Sequence, residues 1–204
     1  MQSTRLNIRW PDVGEDMFEW YSRGFKHIHA KSDGDMDQSF LFHRVREWRL
    51  NMVTRQVKEG YVSGTDVSMD FPFINDDFVG LKNKYGYTQV VNSEASSEAG
   101  MAKYGGLAKL CFDEPPSDQT SGGRRDSTIK MEYHDLGENC FCSGSVFVPR
   151  EGGNEKDDGW IIAFVHVIDA KSFEGKPMAK IRLPQRVPYG FHATFMKKHS
   201  PVVI

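Results

Sequence analysis

Short runs of β-branched and aromatic residues, separated by glycine, proline, asparagine and aspartate, recur along most of this 204-residue chain. Such runs are typical of β-strands, whereas the spacing of apolar residues that an amphipathic helix needs is rare here. One short helix is predicted within 15–25, and polar loops are predicted at 114–126 and 150–159. We therefore predict an all-β fold with strands at 47–52, 57–62, 67–74, 84–91, 106–112, 128–133, 143–148, 160–166, 167–170, 178–183 and 189–195.

The predicted strands repeat in groups of four. The strands at 67–74 and 143–148 are each followed by three others, and 189–195 begins the same order again. Four-stranded units without intervening helices are typical of propeller blades, whose first strands lie nearest a central axis. The strand pattern alone also leaves a sandwich or a barrel open. In a propeller, three residues would face the axis from successive innermost strands: Asp70, Gly144 and His192.

One pair of predicted strands lacks a turn. The segment WIIAFVH at 160–166 runs directly into VIDA at 167–170, with no glycine, proline, asparagine or aspartate between them. Two antiparallel strands normally need such residues at their connection. The two segments are therefore expected to form one long strand, or to have lost the tip of a hairpin.

Composition excludes several classes of protein. Lys+Arg 26 against Asp+Glu 28 gives a net charge of -2, which provides no basic surplus for binding nucleic acid. No apolar run approaches the ~20 residues of a membrane-spanning helix. The first residues, MQSTRLNIRWPDVGEDM, contain no apolar core of a secretory signal, and their acidic residues argue against a transit peptide.

The chain has three cysteines, Cys111, Cys140 and Cys142. An odd and small number indicates a reducing compartment rather than a disulfide framework. The Cys-x-Cys spacing at 140–142 favours two buried or half-buried thiols, with a metal or redox role as the alternative.

Most of the seven histidines have ordinary structural explanations. His27 and His29 could supply half of a metal site, but Lys26 and Lys31 beside them would repel a cation. The surrounding sequence favours structural roles for His43 and His166. His134 stands at a strand end beside Asp135 and is expected to be a surface histidine with an acidic neighbour.

His192 has a different setting, in the segment RVPYGFHATF. Pro188 and Gly190 shape the backbone before it, Phe191 precedes it directly, and small residues follow. An imidazole on a rigid strand beside aromatic walls suits a metal ligand in a dry cavity. A hydrogen-bonded core histidine is the alternative, and one histidine alone does not make a metal site.

Several ordered segments resemble plant-type carotenoid cleavage dioxygenases. LPQRVPYGFHATF at 183–195 is similar to their C-terminal PxGFH signature, and VFVPREGGNEKDDGWIIAFVH at 146–166 resembles their strand, acidic loop and DDGW or DDGY element. MDFPFIN at 69–75 is similar to their DFPxIN or EFPxIN strand, and RLNMVTRQVKE resembles the hairpin before it. The resemblance assigns 39–204 to C-terminal propeller blades and leaves 1–38 as a poorly matched N-terminal segment.

The resemblance implies a seven-bladed β-propeller with a non-haem Fe(II) held on its axis by four histidines. His192 corresponds to the last of these four ligands, and Asp70 to one of the carboxylates that hydrogen-bond to ligand imidazoles. Phe191 and Phe71 would line the substrate tunnel. Gly144 stands where the family has glutamate, which would leave one iron-binding histidine without its carboxylate partner.

The implied activity is oxidative cleavage of a carotenoid or apocarotenoid double bond by O2, with Fe(II) as cofactor. The other three ligand histidines would belong to blades before Met1, so the isolated chain is expected to be inactive. The alternative is a non-catalytic partial propeller, arising by truncation or splicing, with a binding role or none. The resemblance implies a location in the plastid or the cytosol and favours the plastid. It leaves open a peripheral membrane contact of the full-length protein.

Overall fold

The computed structural model describes residues 2–9, 43–64, 67–99, 101–115, 128–163, 166–185, 187, 190 and 192–196. Short antiparallel strands dominate these residues, as the sequence predicts. In chain order the strands are β1 Gln2–Arg9, β2 Arg44–Asn51, β3 Val57–Tyr61, β4 Met69–Phe73, β5 Tyr85–Val91, β6 Tyr104–Cys111, β7 Lys130–Asp135, β8 Val146–Pro149, β9 Gly159–Ala163, β10 His166–Asp169 and β11 Ala179–Lys180.

The strands form three sheets in which neighbours along the chain are neighbours in space. The first sheet has the order β1-β2-β3, the second β4-β5-β6-β7 and the third β11-β10-β9-β8. Every pairing among them is antiparallel. The predicted all-β class and the grouping of strands in fours, beginning near 67 and 143, are therefore confirmed.

The second sheet lies between the other two and is apolar on both faces. Alternate residues of β6 point to opposite sides, so Leu107 packs toward the third sheet while Ala108 and Leu110 pack toward the first. Between the second and third sheets lies an intersheet core that is rich in aromatic rings. Its fully buried large members are Tyr87, Tyr104, Leu107, Ile161, Ile168 and Phe173.

A buried ion pair crosses from the second sheet to the third. Lys109 on β6 is 3% exposed, and its Nζ lies 3.0 Å from Oδ2 of Asp157 in the β8–β9 loop. The same ammonium donates to the carbonyl oxygen of Ala170 at 2.7 Å and lies 4.3 Å from the ring centre of Tyr85. The two contacts with Asp157 and Ala170 thus join the second sheet to the third, while the contact with Tyr85 stays within the second sheet.

The DDGW element closes the β8–β9 hairpin. Arg150 donates to Oδ1 of Asp158 at 2.9 Å, and its guanidinium lies 4.6 Å from the ring centre of Trp160. A Cβ atom at Gly159 would collide with the carbonyl oxygen of Val148 and the ring of Phe147. Each residue of this element therefore has a packing or pairing role inside the third sheet or beside it.

The segments at 160–166 and 167–170 form two strands rather than one. His166 opposes Ala163 and Asp169 opposes Trp160, which makes β9 and β10 an antiparallel hairpin. His166 belongs to the second strand of this hairpin, although the sequence predicts it at the end of the first. The connection at 164–165 lies outside the described residues.

Helical structure occurs where the sequence did not predict it. A short helix, α1, spans Ser93–Ala99, and a 3-10 turn spans Asp76–Phe78. The side chain of Asn92 caps α1, since its Oδ1 accepts from the amide of Ala95 at 2.9 Å. The predicted helix at 15–25 lies outside the described residues. Among the described residues, no helix has the length and apolar character that crossing a membrane requires.

At both ends of the chain the structure differs from the strand prediction. Gln2–Arg9, for which the sequence predicts no strand, pairs along its whole length with Arg44–Asn51. Conversely, the described residues at 190 and 192–196 form no strand, although 189–195 was predicted as one. A strand needs a neighbour to satisfy its backbone groups, and no described strand pairs with this segment.

Candidate functional site

Strand β4 contains an irregularity at the residues that the sequence singles out. The pairing of β4 with β5 shifts register between Asp70 and Phe73, and Phe71 has a φ of +52°. Few residues other than glycine adopt such a φ without strain. The carboxylate of Asp70 supports it, because Oδ1 accepts from the amide of Phe71 at 2.7 Å. The hydroxyl of Thr88 donates to the carbonyl oxygen of Asp70 at 2.6 Å.

The second carboxylate oxygen of Asp70 faces His43. Nδ1 of His43 lies 3.2 Å from Oδ2 of Asp70, and the two residues are 4% and 7% exposed. The sequence predicts a structural role for His43 and an imidazole partner for Asp70, but nothing in their spacing predicts that the two meet. His43 is thus a site residue that sequence reasoning missed.

Phe71 connects Asp70 to His192. The ring centres of Phe71 and His192 are 4.8 Å apart with the rings at 73°, and Phe71 also meets Tyr104 edge-on at 5.6 Å. His192 itself is exposed. Its backbone lies directly against Gly144, whose added Cβ would be 2.5 Å from the carbonyl carbon of His192. The structure therefore places Gly144 in contact with His192 and links Asp70 to His192 through Phe71.

The positions of two sequence-predicted features stay untested. Phe191, expected in the substrate tunnel, and the pair His27 and His29 lie outside the described residues. Phe71, the other expected tunnel residue, is half-buried against His192 and so could present an apolar wall there.

The donor groups near His192 can be compared with what iron requires. Four neutral imidazoles are implied by the resemblance, and the described residues supply one exposed imidazole in the signature segment, that of His192. Among the residues that the structure describes, no group of three or more histidine, cysteine, aspartate or glutamate side chains is arranged to hold a metal. The described residues therefore fit iron binding through one ligand, His192, which lies beside the apolar ring of Phe71.

A second pair of histidines meets within the intersheet region. His134 on β7 and His166 on β10 are 5% and 3% exposed, and their ring centres are 5.9 Å apart. Nδ1 of His134 lies 3.1 Å from the carbonyl oxygen of Phe173, so this nitrogen carries the proton. Burial is the main cause that lowers the pKa of both imidazoles. Both are core residues, as the sequence predicts for His166, whereas the expected surface position of His134 is wrong, because its ring packs against Phe173 and His166.

The cysteines differ in their surroundings. Cys111 and Cys142 are buried, while Cys140 is exposed, so the expectation of two buried or half-buried thiols at 140–142 is wrong for Cys140. The thiol of Cys142 donates to Oε1 of Gln89 at 3.2 Å, and burial raises its pKa to about 12. Burial likewise raises the pKa of Cys111 to about 11.

These environments predict selective thiol labelling. At pH 8 a maleimide is expected to modify Cys140 in the folded chain, because Cys142 has a thiolate fraction on the order of 10⁻⁴ and is sterically covered. Mass spectrometry should show one label in the folded chain and three in denaturant. A Cys140→Ser control should take up none while folded; comparable labelling of Cys142 would contradict the burial described here.

Comparison with known proteins gives a consistent result. The family model described as retinal pigment epithelial membrane protein matches residues 8–197. A carotenoid 9,10(9',10')-cleavage dioxygenase 1 of Pisum sativum is 39% identical over 162 residues, which cover 74% of this chain and 28% of the relative. A probable carotenoid cleavage dioxygenase 4 of Arabidopsis thaliana, described as chloroplastic, is 33% identical and covers 90% of this chain and 34% of the relative.

Solved structures agree at the level of the fold. A variant of the Synechocystis apocarotenoid oxygenase superposes with a TM-score of 0.61 at 15% identity, covering 97% of this chain and 37% of the other. The cobalt-substituted form of that oxygenase gives 0.57 at 19% identity, covering 83% and 34%. The three sheets are thus part of a β-propeller, and the chain spans about a third of the length of the proteins it matches. It belongs to the family of retinal pigment epithelial membrane protein and the carotenoid cleavage dioxygenases.

Proposed function

We propose that this chain contributes part of the catalytic centre of a non-haem Fe(II) oxygenase that cleaves a double bond of a carotenoid or apocarotenoid. The observation that carries the proposal is the position of His192. Its exposed imidazole lies against the ring of Phe71 and its backbone lies against Gly144, within the segment that resembles the PxGFH signature. The dioxygenase names of the relatives support the same reaction class.

The chain's own groups have separable roles in this proposal. His192 would offer its imidazole to the iron, and Phe71 would offer an apolar surface beside it for a polyene. Asp70 fixes Phe71 by accepting from its amide at 2.7 Å, and it faces His43 with its other oxygen. When bound, iron would supply the O2 chemistry of double-bond cleavage. No acid or base from this chain is needed for a reaction that forms two carbonyl groups from one double bond and O2.

Asp70 would therefore influence the site through its neighbours. In the family resemblance it orients an iron-binding imidazole, whereas here its carboxylate holds Phe71 and His43. A carboxylate that hydrogen-bonds directly to a metal-binding imidazole affects metal affinity by roughly 10- to 100-fold. Asp70 would act on His192 through the ring of Phe71. We propose a plastid location, which is supported by the word chloroplastic in the names of two relatives.

Iron binding tests the role of His192. The purified 204-residue chain is expected to lose iron on dialysis, because one imidazole leaves most of the coordination sphere to water. Joining the N-terminal part of the Arabidopsis relative before Met1 would add the other three histidines implied by the resemblance. The joined protein should then retain iron, and His192→Ala should reduce that iron by at least about tenfold, as measured by elemental analysis.

Thr194→Ala is the matched control for this experiment, because Thr194 is an exposed residue two positions away in the same segment. It should leave the iron content unchanged. Iron retained equally by the His192→Ala protein would exclude His192 as a ligand. A joined protein that folds, judged by circular dichroism, but neither binds iron nor cleaves an apocarotenoid would favour the non-catalytic alternative.

A further inference from the structure

Gly144 lies at an unusually close backbone contact. It is buried, precedes β8 and has a φ of +137°, a conformation that residues with side chains rarely adopt. A Cβ atom at this position would lie 2.5 Å from the backbone nitrogen of Ala193 and 2.5 Å from the carbonyl carbon of His192. It would also lie 2.9 Å from the Cβ of Ala193. Backbone atoms cannot yield as a flexible side chain can, so only glycine admits this contact.

The imidazole of His192 contacts a second group, the ring of Phe71. Phe71, whose ring is 4.8 Å from the imidazole, is fixed by the Asp70 carboxylate and by the ring of Tyr104. Tyr104 in turn accepts from the amide of Cys142 at 2.9 Å, two residues before Gly144. The two surfaces that contact His192 are therefore joined to each other through β6.

We propose that Gly144 is a positioning residue, which sets His192 against Phe71 by admitting the backbone of 192–193 into direct contact. The close backbone contact at 192–193 requires a residue without a side chain at 144. Glycine at this position is therefore needed for the contact, and it does not simply mark the loss of a carboxylate. A glutamate introduced there, which the family resemblance suggests as a repair, would displace His192. The importance of His192 rests on the proposed function, but the positioning itself rests on the contacts alone.

Nuclear magnetic resonance of the metal-free chain tests the positioning directly. In the unsubstituted chain, nuclear Overhauser contacts are expected between the Hα of Gly144 and the amide of Ala193, and between the rings of His192 and Phe71. Gly144→Ala should abolish the ring contact and shift the imidazole resonances of His192. Amide signals of β9 and β10 should keep their dispersion, which would show that the third sheet remains folded.

Two glycines provide matched controls. Gly152 also has a positive φ, +72°, but nothing lies within 4 Å of an added Cβ, so Gly152→Ala places a side chain at a positive φ without the collision. Gly190 lies in the same segment as His192, and an added Cβ there would approach Ser143 no closer than 3.8 Å. Both variants should keep the contact between His192 and Phe71.

Specific outcomes would overturn the proposal. They are a retained ring contact in Gly144→Ala, an equal loss in Gly152→Ala, or no contact between Gly144 and Ala193 in the unsubstituted chain. The last measurement needs no variant, so it holds even if Gly144→Ala fails to fold. Every readout here is made without metal, so a failure of the iron-binding test would not change the conclusion about Gly144. A failure of the Gly144 test would likewise not exclude His192 as an iron ligand.

Discussion

Replacing Lys109 by methionine is expected to lower the free energy of unfolding by about 3–5 kcal/mol, because the carboxylate of Asp157 would remain buried without its partner. Asp157 is 9% exposed, and the Lys109 ammonium is its ion-pair partner at 3.0 Å. Methionine keeps most of the volume of lysine, so the loss reports the charge and not a cavity. Urea unfolding at pH 7, followed by circular dichroism, gives the change in midpoint.

Two further variants separate the effect of burial from that of charge. Lys82 pairs with Asp113 at 2.9 Å, but its side chain is 73% exposed, so Lys82→Met should cost no more than about 1 kcal/mol. The double variant Lys109→Met with Asp157→Leu removes both buried charges and should lose less than either single substitution. If Lys109→Met were as mild as Lys82→Met, the pair would not join the second and third sheets.

The features that sequence could predict are those set by local patterns. Runs of β-branched and aromatic residues between turn residues predicted the strand positions, and the order of those strands predicted the groups of four. Side chains alternate between the two faces of a strand. In β6 the same alternation sends Leu107 toward the third sheet and Leu110 toward the first. The resemblance of several segments in the same order predicted the family, because such an order identifies a family far more specifically than any single segment does.

Other features depend on contacts between distant parts of the chain. Lys109 and Asp157 are 48 residues apart, and neither residue type nor spacing predicts that they meet. The same holds for His43 and Asp70, which only the packing of the first sheet on the second brings together. The segment around His192 has the composition of a strand, but a strand forms only where a neighbouring strand can pair with it.

The buried histidine pair predicts a loss of stability in mild acid. Because burial lowers the pKa of His134 and His166 in the folded chain, the unfolded chain binds more protons once the pH falls below about 6.5. Stability is therefore complete above that pH and decreases as the pH falls toward the lowered folded values. Each histidine can contribute a slope of up to about 1.4 kcal/mol per pH unit.

The charges around the pair act in both directions. Lys180, which opposes His166 across the β10–β11 pairing, lowers the pKa of both imidazoles, and His134 lowers that of His166. Asp135 and the carbonyl groups of Phe173 and Gly175 raise the pKa of His134. Burial exceeds these opposing effects at His134, so the expected sign of the pH dependence is the same for both histidines.

Urea midpoints measured between pH 5.5 and 7.5 test this prediction, since aspartate and glutamate titrate mainly below that range. The unfolding free energy should fall with decreasing pH, and His134→Gln or His166→Gln should each flatten the slope. Glutamine cannot titrate, so the slope separates protonation from the loss of packing that either substitution also causes. The double variant should be flattest of all, because no imidazole then remains in the pair to take up a proton on unfolding. A slope unchanged in all three variants would show that other groups control acid stability and that the two imidazoles titrate alike in the folded and unfolded chain.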